Sequence, residues 1–220
     1  MKRSTLRKII QVILHGLTRI TFEGTEHLPK EGGVLVATNH VSRLDTILLF
    51  INPARDDITA LVADKYQKNP FFKWLMNTGG IIWLDRENAD FGAVRAAVAA
   101  LKQGVSLGIA PEGTRSPVAQ LQPGKQGIVL VALKAQVPIV PVAIIGTRDV
   151  FPKIFSLRFP RITLRFGPAF SIPPLERENR DAQMQRNLDE IMCRIAALMP
   201  AENRGVYADH PRLKELLAGQ

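Results

Sequence analysis

A chain of 220 residues with 46% hydrophobic content can remove roughly 70% of its unfolded surface from water in one core, so one domain is the expectation and an unfolded, solvated chain is excluded. A single cysteine, Cys193, rules out an internal disulfide and suits a reducing compartment. Twenty-nine Lys and Arg against 20 Asp and Glu leave +9, which attracts nucleic acid, anionic lipid or an acidic protein without separating them.

Residues 1–22 hold Lys2, Arg3, Arg7, Lys8 and Arg19 and no acidic residue. Leu6, Ile9, Ile10, Ile13, Leu14 and Leu17 recur at helical spacing, so residues 1–19 read as an amphipathic helix with an apolar stripe and basic flanks. That pattern suits a helix lying in a membrane interface, and the stripe suits burial against protein equally well. Gln11, His15 and Arg19 break the run short of the roughly 20 apolar residues a span needs. A small-residue cleavage site of a secretory signal is missing as well.

From residue 20 the elements alternate. Strands are expected at 20–24, 33–38 and 58–63, then a short helix at 70–77 with Pro70 in its first turn and Gly79-Gly80 ending it. A strand at 81–85 follows, and Asn88 or Asp90 is a candidate cap for a helix whose buried stripe is Phe91, Val94, Ala97, Val98 and Leu101, stopped by Gly104. Residues 105–110 read as a strand, 126–135 as a helix and 138–145 as a strand. This order predicts an α/β fold: one domain over 20–200 with a central mixed, largely parallel sheet flanked by helices. Residues 151–175 interleave Lys153, Arg158, Arg161 and Arg165 with five phenylalanines and contain no acidic residue. Alternation over 161–166 makes part of this a half-buried strand, although basic plus aromatic is also how single-stranded nucleic-acid grooves and headgroup-level surfaces are built. A helix near 181–199 buries Leu188, Ile191, Met192, Ile195 and Leu198. Residues 201–220 form a C-terminal tail with no assigned role.

Two polar turns follow apolar strands. Asn39-His40-Val41-Ser42-Arg43-Leu44-Asp45 sets a histidine and a carboxylate five positions apart. Histidine takes a proton from a hydroxyl near neutral pH, and a carboxylate on its far ring nitrogen fixes the tautomer and stabilises the imidazolium. Pro111-Glu112-Gly113-Thr114-Arg115-Ser116 follows the strand at 105–110. In open α/β sheets ligands collect at the carboxyl ends of strands, so both turns are expected to face one crevice. Read without further context, Asp45 is also an ordinary helix-start residue, Glu112 a bond to its own turn, and Arg86 a surface ion pair with Asp85 or Glu87. The histidines at 15, 27, 40 and 210 do not pair at ligand spacing, and no metal site or Walker-type phosphate loop is expected.

The Asn-His-x-x-x-x-Asp and Pro-Glu-Gly-Thr-Arg-Ser blocks, about seventy residues apart, resemble the glycerolipid acyltransferases that make phosphatidic acid from lysophosphatidic acid. Gly79-Gly80-Ile81-Ile82-Trp83-Leu84-Asp85-Arg86 is similar to that family's second block and Val137-Pro138-Ile139-Val140-Pro141-Val142 to its fourth, so the likeness spans residues 39–146 in order. It departs at Leu61-Val62-Ala63-Asp64-Lys65, where relatives carry two adjacent lysines after the alanine, and at Trp83, where they carry a smaller or phenyl side chain. The resemblance implies His40 as general base oriented by Asp45, Arg86 and Arg115 on the acceptor phosphate, Glu112 on the glycerol hydroxyls, and Gly113 and Thr114 in the same substrate turn. It implies no cofactor; acyl-coenzyme A or acyl carrier protein is the donor substrate. A lysophospholipid is the implied acceptor, with no nucleic-acid partner and a peripheral place on the cytoplasmic face of a membrane through the basic N-terminal helix. Ser42 is read as a turn residue, since the strained Gly-x-Ser-x-Gly elbow of serine hydrolases is absent. Three rival readings stand beside this one: another lysolipid or glycerol 3-phosphate as acceptor, a thioesterase or lipase using water, and a non-catalytic basic protein binding nucleic acid or anionic membrane.

Overall fold

The computed structural model describes residues 1–63, 67–84 and 91–219, without the side chains of Ala63, Leu84 and Phe91. Among them the strands β1 (Arg19–Glu23), β2 (Val34–Thr38), β3 (Thr59–Ala63), β4 (Ile82–Leu84), β5 (Ser106–Ile109), β6 (Ile139–Ile145) and β7 (Arg161–Phe166) form one seven-stranded sheet. Its order is β1-β7-β6-β2-β5-β3-β4. Neighbours are parallel except β6 and β7, which run antiparallel. The expected mixed, largely parallel sheet flanked by helices is what forms.

β2 sits between β5 and β6 and is buried throughout. Its unbroken apolar run suits a parallel strand covered on both faces. Successive side chains go to opposite layers. Leu35 and Ala37 meet α4 (Phe91–Lys102), α5 (Gly127–Ala135), α7 (Arg180–Ala197) and α8 (Pro211–Ala218). Val34 and Val36 meet α1 (Arg3–Leu17), α2 (Leu44–Phe50) and α6 (Val150–Phe155). The last helix, α3 (Pro70–Thr78), has Pro70 at its start as expected, and Asn69 Oδ1 accepts from the backbone N–H groups of Phe71 and Phe72.

Because β2, β5 and β6 are parallel, the turns after them gather at one sheet edge. A glycine elsewhere keeps the layers close: a Cβ at Gly33, just before β2, would lie 1.9 Å from the carbonyl oxygen of Leu101.

α1 packs on the domain along part of its apolar stripe. Leu6 and Leu14 are buried, and the Arg3 guanidinium donates to the carbonyls of Asp56, Ile58 and Gly79 at 3.0, 2.6 and 2.6 Å. Arg7 donates to the carbonyls of Phe50 and Asn52. One edge of the same apolar stripe, Ile9 and Ile13, and Val12 beyond it are exposed. No described helix is long and apolar enough to cross a membrane.

Two regions differ from expectation. The basic, aromatic segment contains α6 before the expected half-buried strand, in which Ile162, Leu164 and Phe166 are buried. The supposed tail from residue 201 is part of the domain: α8 packs on α7 with Leu213 fully buried, and the Tyr207 hydroxyl accepts from Gly124 N–H at 3.1 Å. This docking also brings His210 Nδ1 to 3.3 Å from Cys193 Sγ. The thiol is buried and its pKa is pushed up to about 12, mainly by burial, so it stays protonated and serves packing.

Candidate active site

The chain leaves β2 under control of Asn39. Its side-chain oxygen accepts from Ile144 N–H at 2.7 Å and its amide donates to Ile144 C=O at 2.9 Å, joining the end of β2 to β6 through a side chain. The turn is then organised by one oxygen of Asp45, in the first turn of α2. Oδ2 accepts from the backbone N–H groups of Val41 and Ser42, both at 2.7 Å, and from His40 Nδ1 at 2.9 Å.

Since Oδ2 is an acceptor in all three bonds, Nδ1 carries the imidazole proton and Nε2 holds the free lone pair. The His40 side chain is 21% exposed and that of Asp45 3%, so the carboxylate is sealed while an edge of the ring reaches solvent. Ser42 is buried and its hydroxyl accepts from Leu44 N–H at 3.3 Å, which makes it a helix-start residue.

The second block closes on the first. His40 N–H donates to Glu112 Oε1 at 2.7 Å, Gln122 N–H donates to Oε2 at 2.9 Å, and Ser116 N–H donates to His40 C=O at 2.8 Å. Both backbone groups of the histidine are thus tied to the Glu112 loop. Glu112 is only 2% exposed with both oxygens engaged. Burial raises its pKa to about 7, opposed by the N–H groups of Gln122 and His40. In this geometry the carboxylate is a brace under the His40 turn.

Gly113 has φ +68°, and a Cβ there would lie 3.1 Å from the Lys125 side chain. Its backbone conformation, more than an approach by substrate, calls for glycine. Thr114 is exposed on the rim.

Arg115 is exposed and lines an open depression of ≈ 330 Å³ with Val41, Ser42, Arg43, Thr147 and Arg148. Neither Arg43 nor Arg115 has a side-chain partner among the described residues, whereas Arg148 faces Asp149 at 3.6 Å. Three arginines lining one depression that begins at Val41, the residue after His40, favour an anion, and the planar fork suits phosphate. Arg86, expected to share that task, lies outside the described residues, as do Asp64, Lys65, Asp85 and both candidate caps of α4. On the other side of Asp45, Thr46 and Ile47 border a narrow apolar crevice, closed by Leu6 and Ile10 of α1 and Leu75 and Met76 of α3.

Sequence reasoning brought His40, Asp45 and Arg115 forward, and it missed Arg43, Arg148 and the crevice. Arg43 stands inside the motif and was the readable signal; Arg148 needed the position of the β6 end.

A histidine with its far nitrogen locked by a buried carboxylate, at the carboxyl edge of a mostly parallel sheet and one residue from a depression lined by free guanidinium groups, is an arrangement that can take a proton from an alcohol carrying an anion. The chain belongs to the Acyltransferase family, which matches residues 19–145. It is 29% identical over 137 residues to a 1-acyl-sn-glycerol-3-phosphate acyltransferase of Borreliella burgdorferi, covering 61% of this chain and 54% of that one. It is 32% identical over 149 residues to the 1-acyl-sn-glycerol-3-phosphate acyltransferase alpha of Mus musculus, covering 64% of this chain and 50% of the mouse protein. The chain thus spans about half the length of these curated relatives. The crystal structure of the 1-acyl-sn-glycerophosphate acyltransferase PlsC from Thermotoga maritima superposes with a TM-score of 0.65 at 25% identity, covering 86% of this chain and 79% of that one.

Proposed function

We propose that this protein transfers an acyl chain from a thioester to the free hydroxyl of lysophosphatidic acid, giving phosphatidic acid for phospholipid synthesis. The observation that carries the reading is the His40–Asp45 pair, with Nδ1 held at 2.9 Å and Nε2 left free, beside the depression that Arg115 lines. The acceptor hydroxyl gives its proton to Nε2 as its oxygen attacks the thioester carbonyl carbon. The tetrahedral intermediate collapses by breaking the C–S bond, and the imidazolium returns the proton to the leaving thiolate. An acyl-enzyme is unnecessary, consistent with the buried, engaged hydroxyl of Ser42.

Arg115, with Arg86, takes the acceptor phosphate, and the apolar crevice beside Thr46 takes an acyl chain. Acyl-coenzyme A or acyl carrier protein supplies the thioester; both bring negative charge to a +9 protein. The enzyme works at the cytoplasmic face of a membrane, reached through α1.

An acceptor screen with one labelled thioester tests this. Thiol release that depends on lysophosphatidic acid and yields labelled phosphatidic acid is expected. Release at the same rate without an acceptor would make the protein a thioesterase, and preference for glycerol 3-phosphate or another lysolipid would move the acceptor.

A further inference from the structure

Large apolar side chains exposed on this protein are not scattered. Among the described residues all of them, save Val118, Leu130 and Val206, lie on three segments: α1 with Met1, α3, and α6 with the loop after it. On α1, Ile9, Val12 and Ile13 face outward, Val12 at 74% exposure. On α3, the outward side chains are Phe71, at 61%, Phe72 and Trp74. Around α6 they are Phe151, Phe155, Leu157 and Phe159, with Phe155 at 83%.

These segments adjoin one another. α1 and α6 cover the same face of the sheet, where Leu14 and Ile10 share a core with Val150 and Ile154. The start of α1 is tied to the end of α3 by the bond from Arg3 Nη1 to Gly79 C=O, and Arg19 N–H, just beyond its other end, donates to Pro160 C=O at 2.9 Å. α1 is therefore tied at its start to the end of α3 and just beyond its other end to the α6 loop.

Charge identifies the occupant. Residues 1–22, 65–84 and 150–175 contain five, three and four Lys plus Arg and not one Asp or Glu; Arg3, Arg7 and Arg165 are engaged within the protein, while Lys2, Lys8, Arg19, Lys68, Lys73, Lys153, Arg158 and Arg161 are exposed. A protein partner has no need of three separate acid-free stretches, each pairing aromatic or branched apolar side chains with cations. A bilayer does: Trp and Phe settle at the headgroup level while Lys and Arg meet anionic lipid.

We propose that α3 and the α6 loop join α1 in a single surface that docks on an anionic bilayer, making three points of contact where a single N-terminal helix would make one. Seated this way, the apolar crevice between α1 and α3 and the arginine-lined depression bordered by Val150 and Phe151 both open beside the lipid. A lysolipid then reaches His40 from the membrane side without leaving it. The inference deepens the lipid-substrate reading and rests on it for its purpose, while binding is measured apart from turnover.

Flotation of the full chain with phosphatidylcholine vesicles, with and without phosphatidylglycerol, is the test. Three double variants are compared: Val12→Ser with Ile13→Ser, Phe71→Ser with Trp74→Ser, and Phe155→Ser with Leu157→Ser. All six positions are exposed, so unchanged thermal unfolding is expected. Each pair should weaken binding to anionic vesicles roughly 100-fold, the loss expected when two side chains leave an apolar interface, and vesicles without phosphatidylglycerol should bind more weakly. Wild-type affinity in the α3 or α6 pair would overturn the three-point surface, as would a wild-type chain that fails to float. Transferase activity on detergent-dispersed substrate is read in parallel and should match wild type in all three pairs. Its absence from the wild type would sink the acyl-transfer reading and leave the vesicle result standing.

Discussion

Asp45→Asn isolates the electrostatic part of the site with little change in shape. The asparagine oxygen can still accept from Val41 and Ser42, the bonds that shape the turn at 2.7 Å, and from His40 Nδ1. What disappears is the negative charge that, in the proposed mechanism, faces the imidazolium formed as the acceptor hydroxyl loses its proton. With charge centres about 4 Å apart and an effective dielectric constant near 20, that attraction is worth about 4 kcal/mol. On this basis kcat should fall about 10³-fold. The KM for lysophosphatidic acid should change little, because the arginine-lined depression is untouched. The assay is release of free thiol from an acyl-thioester at saturating acceptor, with thermal unfolding as a control for the turn. A variant that keeps turnover within a few-fold of wild type would refute the assignment of Asp45 as the group stabilising His40.

His40→Ala should lower turnover by about 10²–10⁴-fold while thermal unfolding stays close to wild type, because the side chain makes one hydrogen bond, to Asp45; substantial residual turnover would point to another base. Arg115→Ala should raise the KM for the phosphorylated acceptor about 10- to 100-fold, the loss expected of a hydrogen-bonded charge pair, with kcat nearly constant. An unchanged KM would take the phosphate away from Arg115. Glu112 has a pH signature. Its pKa is raised from 4.5 to about 7, so the folded state favours the protonated form. The associated stability is full below pH 4.5 and is lost as pH rises through about 7, with about 3 kcal/mol at stake. Denaturant unfolding across that window should show the decline in wild type and lack it in Glu112→Gln. The variant should also be weaker at low pH by about 1–3 kcal/mol, having left a buried backbone N–H unpaired. Parallel pH profiles would refute the burial argument.

Much of the fold was legible because its signals are local. Strand β2 and the turn after it read directly from an apolar run ending in Asn-His, and Pro70 with Gly79-Gly80 bracketed α3. Candidate chemistry was legible for the same reason: His40 and Asp45 belong to one turn, and five residues of sequence keep them within reach. The bracing role of Glu112 was not legible because its partners are far away. Only the meeting of the β2 and β5 ends supplies the N–H of His40 across 72 positions.

The short helices were missed for a different reason. α6, six residues long, is below the length at which periodicity can speak, and its stability comes from packing. α8 did leave a signal in His210-Pro211 followed by Leu213, Leu216 and Leu217, since His210 Nδ1 accepts from Arg212 N–H and proline opens the helix. For α1 the sequence could not choose between protein and lipid because the apolar stripe is wider than the part of it that the domain buries.

The most direct measurement is a crystal structure with lysophosphatidic acid bound and no acyl donor present. The account predicts the free hydroxyl oxygen roughly 2.6–3.2 Å from His40 Nε2, with the phosphate on the Arg115 guanidinium and the acyl chain leading away from the turn. A phosphate seated elsewhere, with the hydroxyl out of hydrogen-bond reach of Nε2, would contradict it.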